Sequence, residues 1–532
     1  MALPTAPTFE RIALNRVTFG ARASDIARLK DMGWKAWVED QLRAPPGDDA
    51  ELASFLDSQM MFIKYNGLAA AKGIPGWPPV NQYRALTYLK QDVAGLWEVP
   101  RKIETAVAAD EYDRIGKELN AVTWIRNSRS IYQLREFMVD FWNNHFNIGR
   151  QADFYATAAL PVYDLSVIRP RAFGNFHDLL SAVATSASML RYLDNASSTA
   201  AHPNENYARE ILELHTLGGP AYMGVGKPGA KPGKPGDIAP GFNDQDIIQA
   251  SRALSGWTLE QGQDGPNGPL PFTGKFVFNP AQHNPSAGVF MGVDLSKING
   301  QAQGQAVLQI IANHPATADF ICTKIARRIY GDGPPASVIA RGKRAWVANR
   351  DQPDQIRRVL SAMLIDGDEI GGPGTKLRRP YERVIAYVRT ADVLLSAFPK
   401  ADIALAPLGD GIYAWPTPEG RPDMDSQWLS GMVNLYSWNF ITVLLEQDSF
   451  HTSLATQTPE EIRGSADAVV EHWVNRMVGY TLRPAAMTAL VADASAPTGA
   501  VAAITGRDPQ KAEAAMRRLS ALIAASPEFG MR

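Results

Sequence analysis

The chain has 532 residues, 45% of them apolar and 20% charged, which excludes wholesale disorder and allows about three or four domains or one large body. Its 53 basic residues are balanced by 55 acidic ones, a net charge of −2, which argues against a nucleic-acid binder that works by neutralising phosphates. Cys322 is the only cysteine, so an intrachain disulfide and a cysteine-rich zinc site are excluded.

The N-terminal stretch MALPTAPTFERIALNRVTFG has no basic region followed by an apolar one, so it reads as cytoplasmic or as a chain without its signal. Apolar residues then recur at spacings of three and four, which predicts helices. Ile12, Leu14, Val17 and Phe19 begin the pattern, and Ile26, Leu29, Met32 and Trp37 continue it. A helical block is predicted from Tyr83 to Asn127. Further helices are predicted over 131–148, 174–193, 204–217, 244–257, 303–330, 338–348, 355–365, 379–397, 426–446, 459–480 and 507–525. Cys322 falls on an apolar stripe and reads as a packing residue. Lys275–Phe278 and Val289–Gly292 flank the turn-rich QHNPSAG and predict a small hairpin. The expected fold is mainly α: a large helical body, about 8–395 and 425–530, with long loops. The helices are interrupted at DGIYAWPTPEGRPDMD. An insertion over 222–242 carries Lys-Pro-Gly three times and reads as an exposed flexible loop, or alternatively as a lid. No apolar run approaches 18 residues, so no membrane span is predicted.

Two helices carry the residues of chemical interest. In NENYAREILELHTLG, Tyr207, Ala208, Ile211, Leu214 and His215 share one side, and Glu205, Asn206, Arg209, Glu210 and Glu213 share the other. Asn204 is placed to cap this helix. Glu205–Arg209 and Arg209–Glu213 have the spacing of surface ion pairs. Alternatively the acidic face lines a cleft, where burial and repulsion would split carboxylate pKa values into an acid and a base. In FWNNHFNIGR, His145 continues the stripe of Leu134, Met138 and Phe141, with Trp142 beside it and Asn143 and Asn144 making a polar end. Structural and functional roles both stand for His145. Asn243 and Asp246 have capping-box spacing, and His283 lies in the loop of the predicted hairpin. HExxH, Walker A and GxSxG motifs are missing, as are a dinucleotide fingerprint set between a predicted strand and helix and paired Glu-x-x-His helices.

Taken together, NRVTFGARASDIARLKDMGWKAWVEDQL, FMVDFWNNHFNI, RPRAFGNFHDLLSAVATSASMLRYLDN, PNENYAREILELHTLG, DIIQASRALSGW, NHPATADFICTKIARRIY and LSALIAASPEFGMR resemble, in that order, the bacterial domain-of-unknown-function 1800 family. The resemblance spans nearly the whole chain and implies one long domain, 1–532. It also implies an exported, periplasmic or secreted protein, and it singles out Asn204, Glu205, Asn206, Arg209, Glu210, Glu213, Asn144 and His145. It brings no established activity. The chain departs from the family pattern after His283, where Asn284 replaces an Asp and no Lys follows before Lys297.

The expected function is a hydrolase acting on a glycan through carboxylates of 204–217, which needs one protonated and one ionised carboxyl group flanking the bond. Glu210 or Glu213 is preferred to Glu205 as the acid or base, with Arg209 orienting one carboxylate and His145 nearby. Asp140, Asp194 or Asp246 is a candidate partner carboxylate. Asn144, Asn204, Asn206, Trp142, Asp246 and Trp257 are candidate substrate contacts. No cofactor is expected on this reading. The alternatives are a divalent-metal enzyme using His145, His283 and one of the glutamates, and a non-catalytic envelope binding protein. The sequence leaves the oligomeric state open.

Overall fold

The computed structural model describes residues 3–532 apart from 72, 104, 151–152, 226–239, 266–267, 373–375, 398–404, 406–407 and 447–450. The predicted loop 226–236 lies outside the described residues. The chain is 57% helical, and its sheets, among the described residues, are two-stranded and antiparallel. The mainly helical fold is as the apolar spacing predicts.

Three helices form the middle of the core: Ala109–Arg129, Gln133–His145 and Pro380–Thr390. Every residue of the second and third is buried. Tyr381 stacks edge-on against Trp124 at 4.8 Å and accepts a hydrogen bond from Asn127 at 2.7 Å, which ties the first helix to the third. Burying QLREFMVDFWNNH on all sides puts Arg135, Glu136 and Asp140 out of water. Such charges are tolerated only when paired. Glu136 is clasped by Arg135 and Arg169. Asp140 receives Arg328, Arg379 and Arg421 at 2.7–2.9 Å, and Glu382 joins the cluster through Arg328, Arg379 and Arg532. Charge neutralisation therefore fixes how distant segments meet, with apolar packing around it.

Several boundaries differ from the periodic reading. The block from Tyr83 begins as a strand: Met60–Tyr65 pairs with Val80–Ala85, so Met60 lies opposite Ala85, and helices follow only at Val93–Lys102 and Ala109–Arg129. The predicted hairpin across QHNPSAG does not form. Phe272–Phe278 pairs instead with Trp257–Gln261, while Val289–Phe290 turns back on Val293–Asp294. Trp257 thus starts a strand after the helix Asp244–Ala253 has ended. Its Thr258 and Leu259 bury against the core, which an alternating pattern cannot announce. His314 caps Pro315–Tyr330 and separates it from Gln301–Ala312. Cys322 is fully buried and free, and burial pushes its thiol pKa well up.

One described stretch, Pro484–Thr505, is apolar and long enough on average to cross a membrane, with mean hydropathy 1.3. Its helix stops at Ser495 and resumes at Ala500, and Leu490, Ala494, Ala500 and Ile504 pack into the core. The ends of the 222–242 insertion are fastened: Tyr222 bridges Phe242, and the Met223 amide donates to the Phe242 carbonyl at 2.8 Å.

Candidate active site

The helix Glu205–Glu213 begins where Asn204 accepts a hydrogen bond from the Tyr207 amide at 2.9 Å and donates its own amide to the Leu193 carbonyl at 2.8 Å. Tyr207, Ala208, Ile211 and Leu212 face the core. Glu205 and Asn206 are exposed, and Arg209, Glu210 and Glu213 are half-buried. Arg209 forms neither of the ion pairs its spacing allows within the helix. It reaches Asp244 at 3.3 Å and lies over the Tyr222 ring at 5.6 Å, so it holds the helix to the Asp244–Ala253 helix and does not clamp Glu210 or Glu213.

Released from that clamp, Glu210 lies in an acidic setting. Burial first, then the carboxylates of Glu213 and Glu419, hold its pKa above the ordinary value, with Arg209 opposing weakly. Glu213 folds toward Gly219, where an added Cβ would lie 3.5 Å from its Oε1. Tyr192 ends the helix Ala187–Tyr192. Its hydroxyl donates to the Pro416 carbonyl at 2.7 Å, and burial, with Glu419 and Glu210, pushes its pKa up to about 12.

Glu419, which is exposed, comes from the DGIYAWPTPEGRPDMD interruption, which folds onto the helix Gln133–His145. Asn144 accepts from the Arg421 amide at 2.8 Å and donates to its carbonyl at 3.0 Å. Asn147 donates to the carbonyls of Trp415 and Thr417 at 3.0 and 2.8 Å. A Cβ on Gly420, which has φ +77°, would fall 2.2 Å from the Asn144 carbonyl oxygen. Glycine is required at this close approach. Thr417 donates to Glu419 at 2.5 Å and accepts from the Trp415 indole at 3.0 Å.

Beneath the acidic face the two motif helices meet at their ends. His145 Nε2 lies 3.0 Å from the His215 carbonyl, and its Nδ1 lies 3.0 Å from Lys324 Nζ. An ammonium can only donate, so Nδ1 accepts and Nε2 carries the proton to the carbonyl. Burial first, then Lys324 and His215, keep His145 neutral, with its pKa well below the ordinary value. His215 is depressed to about 3 by burial and Lys324. Lys324 itself is lowered by burial, with Asp423 opposing.

Other sequence-predicted site residues have structural duties. Trp142 is buried and donates to the Ala172 carbonyl at 3.0 Å. Trp257 is buried against Gly304. Neither indole is open to a substrate. Asp246 forms the expected capping box with Asn243 and also accepts from the Met291 amide at 2.8 Å. Asp140 is locked among arginines, and Asp194 is an exposed residue at φ 57° beside the cap. His283 is buried, with Nδ1 3.0 Å from the Ser255 carbonyl. Both nitrogens of His145 are engaged within the protein, whereas the divalent-metal alternative would group it with His283 and a glutamate. Among the described residues no three His, Cys, Asp or Glu side chains form such a group.

The sequence profile described as "Protein of unknown function (DUF1800)" matches residues 12–531. The chain belongs to this family. No curated protein and no solved structure matches it. Three residues of this DUF1800 site escape sequence reasoning: Tyr192, Lys324 and Glu419. Glu419 stands in a Pro-Gly turn with no periodicity to mark a buried neighbour. Lys324 looks like any lysine on the rim of a helix. The useful signal was the turn itself, since a break of that length in a helical chain must lie against something.

Proposed function

We propose that the protein is a hydrolase acting on a glycan, with Glu210 as general acid and Glu419 or Glu213 as the ionised partner. The observation that carries this reading is the half-buried Glu210, its pKa raised by burial, by Glu213 on the same helix and by Glu419 from a distant segment. Closely placed carboxyl groups resist simultaneous ionisation, so one holds its proton at a pH where the other is charged. The protonated Glu210 would donate to the leaving glycosidic oxygen, and the ionised partner would activate water or attack the anomeric carbon. Thr417 orients one oxygen of Glu419. Trp415 and Tyr192, both half-buried, offer aromatic surface to a sugar. Asn144 and His145 serve as positioning residues: one fastens the Glu419 segment, the other joins the two motif helices.

The assigned set therefore narrows from the sequence reading. Glu205 lies at the exposed end of the face, and Arg209 is committed to Asp244. The non-catalytic binding reading draws on this exposed end, where Glu205 and Asn206 stand in solvent. Hydrolysis of a glycan panel by wild type, Glu210→Gln and Glu205→Gln separates the two. The proposal expects turnover to fall about 100-fold or more in the first variant and to be preserved in the second.

A further inference from the structure

A cavity of about 220 Å³, separate from the acidic face, lies where Arg22, Ser128, Arg129, Arg389 and Asp392 come together. Arg22 precedes the helix Ala23–Met32, and Ser128 and Arg129 end the helix Ala109–Arg129. Arg389 and Asp392 lie at the end of Pro380–Thr390. Three guanidinium groups thus line the space against one carboxylate.

The arginines differ in how far they are committed. Arg389 is spent: Nε donates to the Gly20 carbonyl at 2.9 Å, Nη1 to the Ser128 carbonyl at 2.8 Å, and Nη2 to Asp25. Arg22 uses only Nη2, on Asp392. Arg129 donates only through Nη2, to Glu51 at 3.4 Å, a carboxylate that is 86% exposed, and its guanidinium lies over the Phe55 ring at 4.5 Å. Among the described residues, the Nε and Nη1 groups of Arg22 and Arg129 therefore have no protein acceptor. Arg476 adds a fourth cation at 3.8 Å from Asp392. The local balance is four cations against Asp25, Asp392 and the solvated Glu51.

We propose that this cavity binds a phosphate group, as inorganic phosphate or as the head of a phosphomonoester. The planar guanidinium fork matches tetrahedral oxyanions through paired N–H donors. A polar, half-enclosed site with excess positive charge concentrates such anions more than open surface does. Asp392 is the natural opponent, because it both occupies Arg22 and repels an incoming anion.

The test is calorimetric titration and thermal melting of the full chain with inorganic phosphate and with glycerol phosphate, against chloride at matched ionic strength. Two variants carry opposite expectations. Arg129→Gln, whose partner is a solvated carboxylate, should weaken phosphate binding about tenfold. Asp392→Asn keeps the shape and tolerates the left-handed backbone at φ 55°, and should tighten it several-fold. Tighter binding of glycerol phosphate than of inorganic phosphate supports the phosphomonoester source, and equal binding supports free phosphate. The proposal is overturned if phosphate stabilises no more than chloride, or if the two variants leave its affinity unchanged or move it in the same direction. These readouts do not depend on glycan hydrolysis.

Discussion

Glu210 is where burial and charge repulsion act on one carboxyl group. The folded chain binds its proton more tightly than the unfolded chain, so ionising it opposes folding. That opposition is absent below the ordinary value of 4.5 and complete above the raised one. Glu210→Gln should therefore raise the melting temperature at pH 8 and leave it nearly unchanged at pH 4, while removing activity. Equal stabilisation at both values would show that the carboxyl does not titrate as described. A variant more stable and less active is what a residue strained for chemistry gives. Asn144 makes the opposite prediction. Its replacement by alanine strands the buried amide and carbonyl of Arg421, and should cost roughly 2–3 kcal/mol in denaturant unfolding.

The helices were legible because their apolar faces repeat every three or four residues, as in Tyr207, Ala208 and Ile211. The acidic face opposite was legible for the same reason. The loop wall that carries Glu419 was not: it is some two hundred positions away in a turn, brought over by hydrogen bonds such as Asn144–Arg421, Asn147–Thr417 and Tyr192–Pro416 and by the Asp140–Arg421 ion pair. The helix predicted over 244–257 runs past its true end at Ala253 to Trp257, the first residue of a strand whose first three residues are all buried, which erases alternation. Gly420 tests the wall as an element. Gly420→Ala places a Cβ against Asn144 and forces a positive φ on a residue that carries a Cβ, so it should cost about 1–3 kcal/mol and displace Glu419. Activity and unfolding measured together should both fall. An unaltered Tm would mean that the segment is not seated on Asn144. The insertion makes the contrasting case. Because Tyr222 and Phe242 already close its ends, replacing 227–238 by a short glycine linker should change stability by less than about 1 kcal/mol in a melting or denaturant series.

At the scale of the whole molecule, the buried cluster of Asp140 and Glu382 with Arg328, Arg379, Arg421 and Arg532 joins the middle helices to the Glu419 segment and to the last residue. The surrounding guanidinium groups outweigh burial and hold both carboxyl groups below their usual range. Their contribution is present above the ordinary carboxylate pKa and is lost as pH falls through the lowered values, so acid should unfold the protein cooperatively. Asp140→Asn leaves three buried arginines short of charge and should cost about 3–5 kcal/mol. A change within 0.5 kcal/mol would remove the cluster from the account of stability. The sequence could not show this cluster, because Asp140 reads as an ordinary member of a helix until its three partners, drawn from positions 328, 379 and 421, are in place.

Proton donation by Glu210 to a glycosidic leaving group is the step on which the proposed function rests. It is met most directly by single-turnover hydrolysis of a panel of oligosaccharides with wild type and Glu210→Gln, using glycosides of progressively better leaving groups. Wild-type cleavage of at least one glycan is expected, with a loss of about 100-fold or more in the variant that shrinks as the leaving group needs less protonation. Wild-type turnover that survives in Glu210→Gln, or no cleavage of any glycan by the folded wild type, would contradict it.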